Sequence, residues 1–259
     1  YRLNFKQSLK THPKYPNLQA VPIPVALALF NSETGEQYSL QCAALFENAV
    51  KDGLYLFDQD EASIEFSGIT AKPVVSLLRN FSAPVNLDFN YSDEELAFLI
   101  QYETNGFNQW QAAQTLLERI LLNGHEAHVY IAAIKNTLPQ LVEKDPLLAS
   151  RLFDVPTEGY LGSRIDQDYS PVTIQEQRNA LLNTLARELG SFCKDTYLAL
   201  DPLIQTEFSQ AMGVRALKNI MLNMLARQGN TLAFDLAEEQ YITTGNMSER
   251  LGALKVLVW

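Results

Sequence analysis

Histidine is scarce in this sequence, with three among 259 residues. Metal centres and acid–base sites draw heavily on imidazole, so three leave little material for either. Cysteine is scarcer still. Cys42 and Cys193 stand far apart, and no C-x-x-C occurs. Two isolated thiols are expected to be buried and reduced, which points to a cytoplasmic setting. Long apolar runs are also missing. The longest, Val21 to Phe30, is about half a membrane span and is broken by Pro22 and Pro24. No membrane partner is expected from it. Nor is it a signal peptide, because it lies too far in and lacks a cleavage pattern. Positive charge is in deficit, 20 basic against 30 acidic residues for a net charge of -10. A field of that sign repels phosphate backbones, so nucleic acid is not an expected partner.

What is present describes a globular protein. Apolar residues make up 47% and charged residues 19%, outside the disordered range. A chain of this length buries roughly 70–75% of its unfolded surface and needs no disulfide or structural metal to fold. It sits between one large domain and two ordinary ones.

Two grammars divide it, and they predict a β-sandwich domain over 1–91 and an α-helical C-terminal domain over 92–259. In the first part short alternating runs recur: Tyr1 to Phe5, Ala26 to Phe30, Leu54 to Phe57, Ser63 to Phe66, Val74 to Leu78 and Val85 to Tyr91. Turn formers separate them, including Thr34-Gly35, Lys51-Asp52-Gly53 and Ala83-Pro84. Six of the 11 prolines fall here. Pro22 and Pro24 predict an edge strand or a strand entry, since proline cannot donate to a ladder. Strands at this spacing without intervening helices predict a small antiparallel sandwich of immunoglobulin-like architecture. The cysteine–tryptophan–cysteine pattern of true immunoglobulin domains is absent.

From Ser92 the period becomes helical. Ser92-Asp93-Glu94-Glu95 is a capping box. A helix follows over about 107–123, with Trp110, Ala113, Leu117, Ile120 and Leu121 on one face and Gly124 as its stop. Another starts near Glu126. Asp145-Pro146 and Ser170-Pro171 each place an N-cap before a proline at the first helical position. The second opens a long helix carrying Leu181, Leu185, Leu189 and Phe192. A further helix holds Val214, Leu217, Met221 and Met224, and two shorter ones begin near Asn230 and Met247. The expectation is an antiparallel helical array of HEAT or armadillo type, without a clean fixed-period repeat. The acidity belongs mainly to this half: 92–259 holds 13 bases and 21 acids, against 7 and 9 in 1–91. It suits solvated helix faces or, alternatively, a wall that attracts cationic ligands.

The ends predict a piece of something longer. The chain opens inside a strand pattern without methionine. It closes on Val256-Leu257-Val258-Trp259, a helical segment without a cap, as if the helical domain were truncated at its end. Leu254, Leu257 and Trp259 are then expected to mediate some self-association.

Chemical motifs are few. His125-Glu126-Ala127-His128 falls one residue short of H-E-x-x-H, in which the two histidines at i and i+4 share a helix face. Here Val129 occupies that place, so a surface helix N-terminus is expected. Ser191-Phe192-Cys193-Lys194 matches S-x-x-K without its companion motifs. Asp58, Asp60 and Glu61, and Glu238 and Glu239, are paired carboxylates expected in turns or on helix surfaces. Met212, Met221 and Met224 fit a core stripe. No residue qualifies as a catalytic, cofactor-binding or metal-binding residue.

One stretch is more specific. Phe81-Ser82-Ala83-Pro84-Val85, then Ser92-Asp93, then Asn105-Gly106-Phe107-Asn108-Gln109-Trp110-Gln111-Ala112-Ala113-Gln114 resemble the sandwich-to-helix junction of the bacterial aminopeptidase N family, zinc-dependent exopeptidases. That family shows F-S-A-P-V, S-D-x-x-L and N-x-F-x-x-W-x-A-A-Q. Val21-Pro22-Ile23-Pro24-Val25-Ala26-Leu27, Asp145-Pro146-Leu147-Leu148-Ala149 and Asn246-Met247-Ser248 resemble further family segments. The likeness spans the chain in order, strong over 81–114 and loose after about 155. Trp110 and Phe107 are expected to pack the second helix onto the first and onto the sandwich edge.

The resemblance implies a third, β-sandwich domain and the first part of a C-terminal helical domain. The family's G-A-M-E-N and H-E-x-x-H are absent, so no active-site residue carries over and the chain alone is expected to be inactive. Zinc is implied only for the parent's catalytic domain. The implied role is to scaffold and cover the active site of a parent that releases N-terminal residues from peptides. Its partners would be that catalytic domain and the parent's peptide substrates. A free-standing protein- or peptide-interaction module is the alternative. A metallohydrolase built on His125 and His128 is the third reading.

Overall fold

The structure is a computed structural model, and it describes residues 1–9, 14, 19–42, 50–165, 169–200 and 207–258, with the side chains of residues 41 and 42 excepted. The described residues form seven strands followed by ten helices. Trp259 and the Cys42 side chain lie outside what is described. Two compact units divide the chain, Tyr1–Ala112 and Ala113–Trp259.

The first unit holds two antiparallel sheets. Strands β1 (Arg2–Lys6), β6 (Glu61–Ser67) and β3 (Gln41–Cys42) form one, in the order β1-β6-β3. Strands β4 (Val50–Lys51), β5 (Leu54–Phe57), β2 (Ile23–Asn31) and β7 (Pro73–Leu77) form the other, in the order β4-β5-β2-β7. Alternation selects the shared core: Leu3, Ile64 and Phe66 from one sheet meet Val25, Leu27, Leu29, Tyr55, Phe57, Val75 and Leu77 from the other. The immunoglobulin-like sandwich expected from the sequence is present.

Turn chemistry sets the register. Asp52 and Gly53 carry φ of 52° and 78°, and Lys51 pairs with Leu54. That is the two-residue, doubly left-handed hairpin for which Asp-Gly is suited. Pro24 sits in β2 as a strand entry. Residues 23–26 pair only with β5, and residues 27–31 pair with β7. The backbone nitrogen of Pro24 faces the side on which no described strand pairs with residues 23–26. Two residues on, the Ala26 N–H pointing to the same side donates to Ser82 Oγ at 3.0 Å.

Val85 to Tyr91 forms no strand, contrary to expectation. Its alternation is not a burial pattern: Val85 and Leu87 are both exposed. The two-residue strands β3 and β4 carry too little periodicity to be read from sequence.

Helix α1 (Asp93–Tyr102) starts at the expected capping box. Ser92 Oγ accepts from the Glu95 N–H at 3.1 Å, and Glu95 Oε2 accepts from the Ser92 N–H at 3.0 Å. Helix α2 (Gly106–Asn123) follows and ends at Gly124, whose φ is 70°.

The helical array continues with α3 (Ala127–Lys144), α4 (Pro146–Arg151), α5 (Glu158–Ser163), α6 (Pro171–Glu188), α7 (Gly190–Ala199), α8 (Phe208–Arg227), α9 (Thr231–Thr243) and α10 (Met247–Leu257). Side-chain caps from Asp145, Thr157, Ser170, Asn230 and Asn246 open five of them. Helix α8 packs against α4, α6, α7, α9 and α10. Gly213 permits its approach to α4, because a Cβ there would lie 2.9 Å from the Leu147 nitrogen.

Two expectations need correction. The long helix from Ser170 divides at Leu189, whose φ and ψ of -110° and 11° leave the helical region. Gly190 then lies so close to Gln228 that a Cβ would come within 2.8 Å of its side-chain oxygen. Met212 is 42% exposed, whereas Met221 and Met224 are buried. Nine residues at about 100° each put Met212 on the face opposite Met221.

Candidate functional site

His125 lies just after Gly124, in the turn that leads into α3. His128 Nδ1 and Glu126 Oε2 are 3.9 Å apart with side chains 76% and 83% exposed, an arrangement open to solvent. Among the described residues no three histidine, cysteine, aspartate or glutamate side chains are grouped to hold a metal ion. The described residues therefore do not fit a zinc site.

The S-x-x-K segment lies on α7, with Ser191 and Lys194 exposed and Cys193 fully buried. Burial pushes the Cys193 thiol up to about 12, away from the thiolate that nucleophilic chemistry needs. Asp58, Asp60 and Glu61 are exposed, and Glu61 pairs with Lys6 at 2.6 Å. That partner lowers the Glu61 pKa, the opposite of a general acid. Glu238 and Glu239 face solvent on α9.

The structure draws attention elsewhere, to the turn after β7. Leu78, Asn80 and Phe81 have φ of 54°, 56° and 53°. Three left-handed non-glycine residues in four cost of order 1–3 kcal/mol each and persist only where surroundings impose them. Here the surroundings are a polar network reaching α1 and α2. Glu103, at the end of α1, has a fully buried side chain. Its Oε1 accepts from Arg79 Nη2 at 2.7 Å and from the Asn105 N–H at 2.7 Å. Arg79 Nη2 also donates to Thr104 Oγ1 at 2.8 Å.

Asn105 works in two directions. Its Oδ1 accepts from the Asn108 N–H at 3.2 Å, which caps α2, and from the Asn80 N–H at 3.3 Å. Its Nδ2 donates to Asn80 Oδ1. Asn108 Nδ2 then donates to Ser76 Oγ at 3.0 Å and to the Leu77 carbonyl at 2.8 Å. Gln109 Nε2 donates to the Ile100 carbonyl at 2.6 Å, locking α2 onto α1. The network fastens both helices to the buried strand β7.

Aromatic packing adds to it less than expected. Phe107 meets Phe81 at 5.6 Å, close to edge-on, and Trp110 at 5.9 Å, yet Phe107 stays 36% exposed. Asn108 and Gln109, between the two aromatics, are the residues that become buried. Sequence reasoning singled out Asn105, Phe107 and Trp110 but assigned nothing to Arg79, Glu103 or Asn108. An N-cap pattern, Asn105 followed by Asn108 three residues on, was the available signal. Glu103 carried none, because a glutamate at a helix end is usually solvated.

A second polar network lies within the helical array. Tyr197 OH on α7 donates to Gln240 Oε1 on α9 at 3.0 Å. Gln240 Nε2 donates to Asn219 Oδ1 on α8 at 2.9 Å and to the Glu249 carbonyl on α10 at 2.8 Å. Asn219 Nδ2 donates to the Ser248 carbonyl at 3.0 Å. Burial raises the Tyr197 hydroxyl to about 12, keeping it a neutral donor. Both networks hold structure together, and neither presents a nucleophile beside a base.

Family models match in two parts. Residues 1–90 match a domain of unknown function, DUF3458, with an Ig-like fold. Residues 93–259 match its companion, DUF3458_C, described as ARM repeats. Aminopeptidase N of Escherichia coli (strain K12) is 32% identical over 273 aligned positions, covering 100% of this chain and 30% of that protein. Aminopeptidase N of Haemophilus influenzae is 29% identical over 271 positions, covering 99% and 30%. Among solved structures, that of Legionella pneumophila aminopeptidase A in complex with aspartic acid superposes with a TM-score of 0.72 at 25% identity, covering 92% of this chain and 28% of that one. The chain thus spans about 30% of the length of the curated relatives it matches.

Proposed function

The chain belongs to the family of DUF3458 Ig-like and ARM-repeat domains and is homologous along its whole length to bacterial aminopeptidase N; from that premise we propose that it is the non-catalytic scaffold of a larger aminopeptidase. In this reading the sandwich and helices support and cover a catalytic domain lying outside these 259 residues. The parent releases N-terminal residues from peptides, using zinc held by that other domain. The carrying observation is the match to aminopeptidase N from end to end of this chain but over only 30% of the relative. The chemistry of the described residues supports it. The one described cysteine side chain is buried as a thiol, the histidines of 125–128 do not form a metal cluster, and the polar networks are structural. A reducing, cytoplasmic compartment suits the buried free thiol of Cys193.

Two measurements on the native gene product test this. An antibody against the chain should detect a polypeptide several times larger than 29.1 kDa in source cells. That polypeptide should hydrolyse aminoacyl anilides and lose the activity to a zinc chelator. A band at 29.1 kDa overturns the reading and favours a free-standing interaction module. A large polypeptide without aminopeptidase activity overturns the assigned reaction.

A further inference from the structure

Two Asn-Gly pairs occur in the sequence, Asn105-Gly106 and Asn123-Gly124, and they stand at the two ends of α2. Asparagine before glycine is open to deamidation, because glycine has no Cβ to keep its backbone nitrogen from the preceding side chain. That nitrogen loses its proton to solvent base and attacks the asparagine Cγ. The Cγ–Nδ2 bond breaks, ammonia leaves, and a succinimide ring remains. Water then opens one of the two carbonyl–nitrogen bonds of the ring. One opening gives aspartate, and the other gives isoaspartate, in which the main chain runs through the side-chain carbon. Either way an amide and a water become a carboxylate and ammonium, with no change of oxidation state.

The two pairs are held differently. Asn105 is half-buried, and both polar atoms of its side chain are engaged. Oδ1 accepts from the Asn108 N–H at 3.2 Å and from the Asn80 N–H at 3.3 Å, and Nδ2 donates to Asn80 Oδ1. Turning Cγ onto the Gly106 nitrogen gives up these hydrogen bonds together and uncaps α2. Asn123 is exposed, and among the described residues its side chain has no hydrogen-bond partner. It is the last residue of α2, so leaving helical geometry there disturbs only the end of the hydrogen-bond ladder. Gly124 is exposed with a φ of 70°, and a Cβ there would meet no atom within 4 Å. The ring has room to close at this end of the helix.

We propose that Asn123 is a deamidation site of the folded protein, and that the network around Glu103 shields Asn105 from the same reaction. The chemistry needs only water and no residue outside the chain. Its product places a carboxylate at the C-terminal end of α2, where the helix dipole is already negative, in a turn that also holds the exposed Glu126. The isoaspartyl form adds a main-chain carbon directly before Gly124, whose left-handed conformation ends the helix. Both products loosen the turn from α2 into α3, so the modification accumulates there as the protein ages.

The test holds the native gene product in near-neutral buffer at physiological temperature and follows each pair by peptide mapping, as a mass gain of about 1 Da. In the folded protein Asn123 should deamidate about tenfold or more faster than Asn105, the ratio expected when ring closure at Asn105 costs several hydrogen bonds. In guanidinium chloride, where neither pair is held, the two rates should agree within about threefold. Equal rates in the folded protein, or a faster Asn105, overturn the proposal. So does an Asn123 that reacts only after denaturation. Asn80→Gly tests the shield, because glycine keeps the left-handed backbone at that position and removes the acceptor of Asn105 Nδ2. It should speed Asn105 by about threefold or more and leave Asn123 unchanged. An unchanged Asn105 rate overturns the shielding. The readout is the same whatever the size of the native product, so its failure leaves the scaffold reading intact.

Discussion

The two buried polar networks do comparable work by different means. The one around Glu103 holds an irregular turn with three left-handed residues against two helices. It centres on a charge, and Arg79 Nε, Glu103 Oε2 and Asn108 Oδ1 have no hydrogen-bond partner among the described residues. The one around Gln240 is neutral at its centre, lies between regular helices α7 to α10, and gives each amide side chain two or more hydrogen bonds. The difference teaches where backbone regularity comes from. Helices satisfy their own main chain, so a network between them only adds fastening. A turn that leaves both helix and ladder needs side chains to fix its course, and a buried ion pair fixes it at the expense of desolvation.

The sharpest way to break this comparison is Glu103→Ala. It leaves the partly buried Arg79 without its carboxylate and frees the Asn105 N–H, an effect of about 3–5 kcal/mol. Hydrogen exchange should accelerate in β7 and α1 while α8 to α10 keep their protection. Equal acceleration in both regions sinks the idea that the network is local to the first unit. Gln240→Ala is the counterpart in the second unit. Removing three hydrogen bonds between helices should cost about 1–3 kcal/mol, read as a lower urea midpoint with exchange accelerating in α9 and α10. A cost matching that of Glu103→Ala contradicts the distinction drawn between charged and neutral centres.

A smaller effect, about 1 kcal/mol, is expected from Ser92→Ala, which removes the capping box of α1. Circular dichroism during denaturation checks it, and an unchanged midpoint means that tertiary contacts alone set that helix start. The last effect is absent near neutrality and appears only in alkali. Cys193 has a pKa raised from 9.0 to about 12 by burial. A raised pKa means that the folded protein binds the proton more tightly than the unfolded chain. Its contribution is complete below pH 9.0 and is lost as pH rises toward about 12. Wild-type stability should therefore fall more steeply than that of Cys193→Ala across this window. Parallel curves show that the thiol does not couple to folding.

Much of the fold was legible because it rests on local chemistry. Asp52-Gly53 marked a turn, Ser92 and Glu95 a helix start, and Asp145-Pro146 and Ser170-Pro171 two more, each within four residues of sequence. The break at Leu189 was not legible, because the Gln228 side chain that meets Gly190 is 38 residues away in sequence. Val85 to Tyr91 misled for the opposite reason: its alternation is real, but it finds no ladder to join.

Of the junction, the sequence by itself determined the capping residues, the prolines that bound strands and helices, and the aromatic pair Phe107 and Trp110. Residue type and spacing decide these within a turn or two of chain. Only the tertiary structure decided that Glu103 is a buried anchor rather than a solvated helix end. Only there does Gln240 tie four helices. Burial is a property of what packs against a residue, and its partners come from elements far away in the chain. A pattern of period 2 or 3.6 names the face that seeks a cover, and the fold determines whether that face receives one.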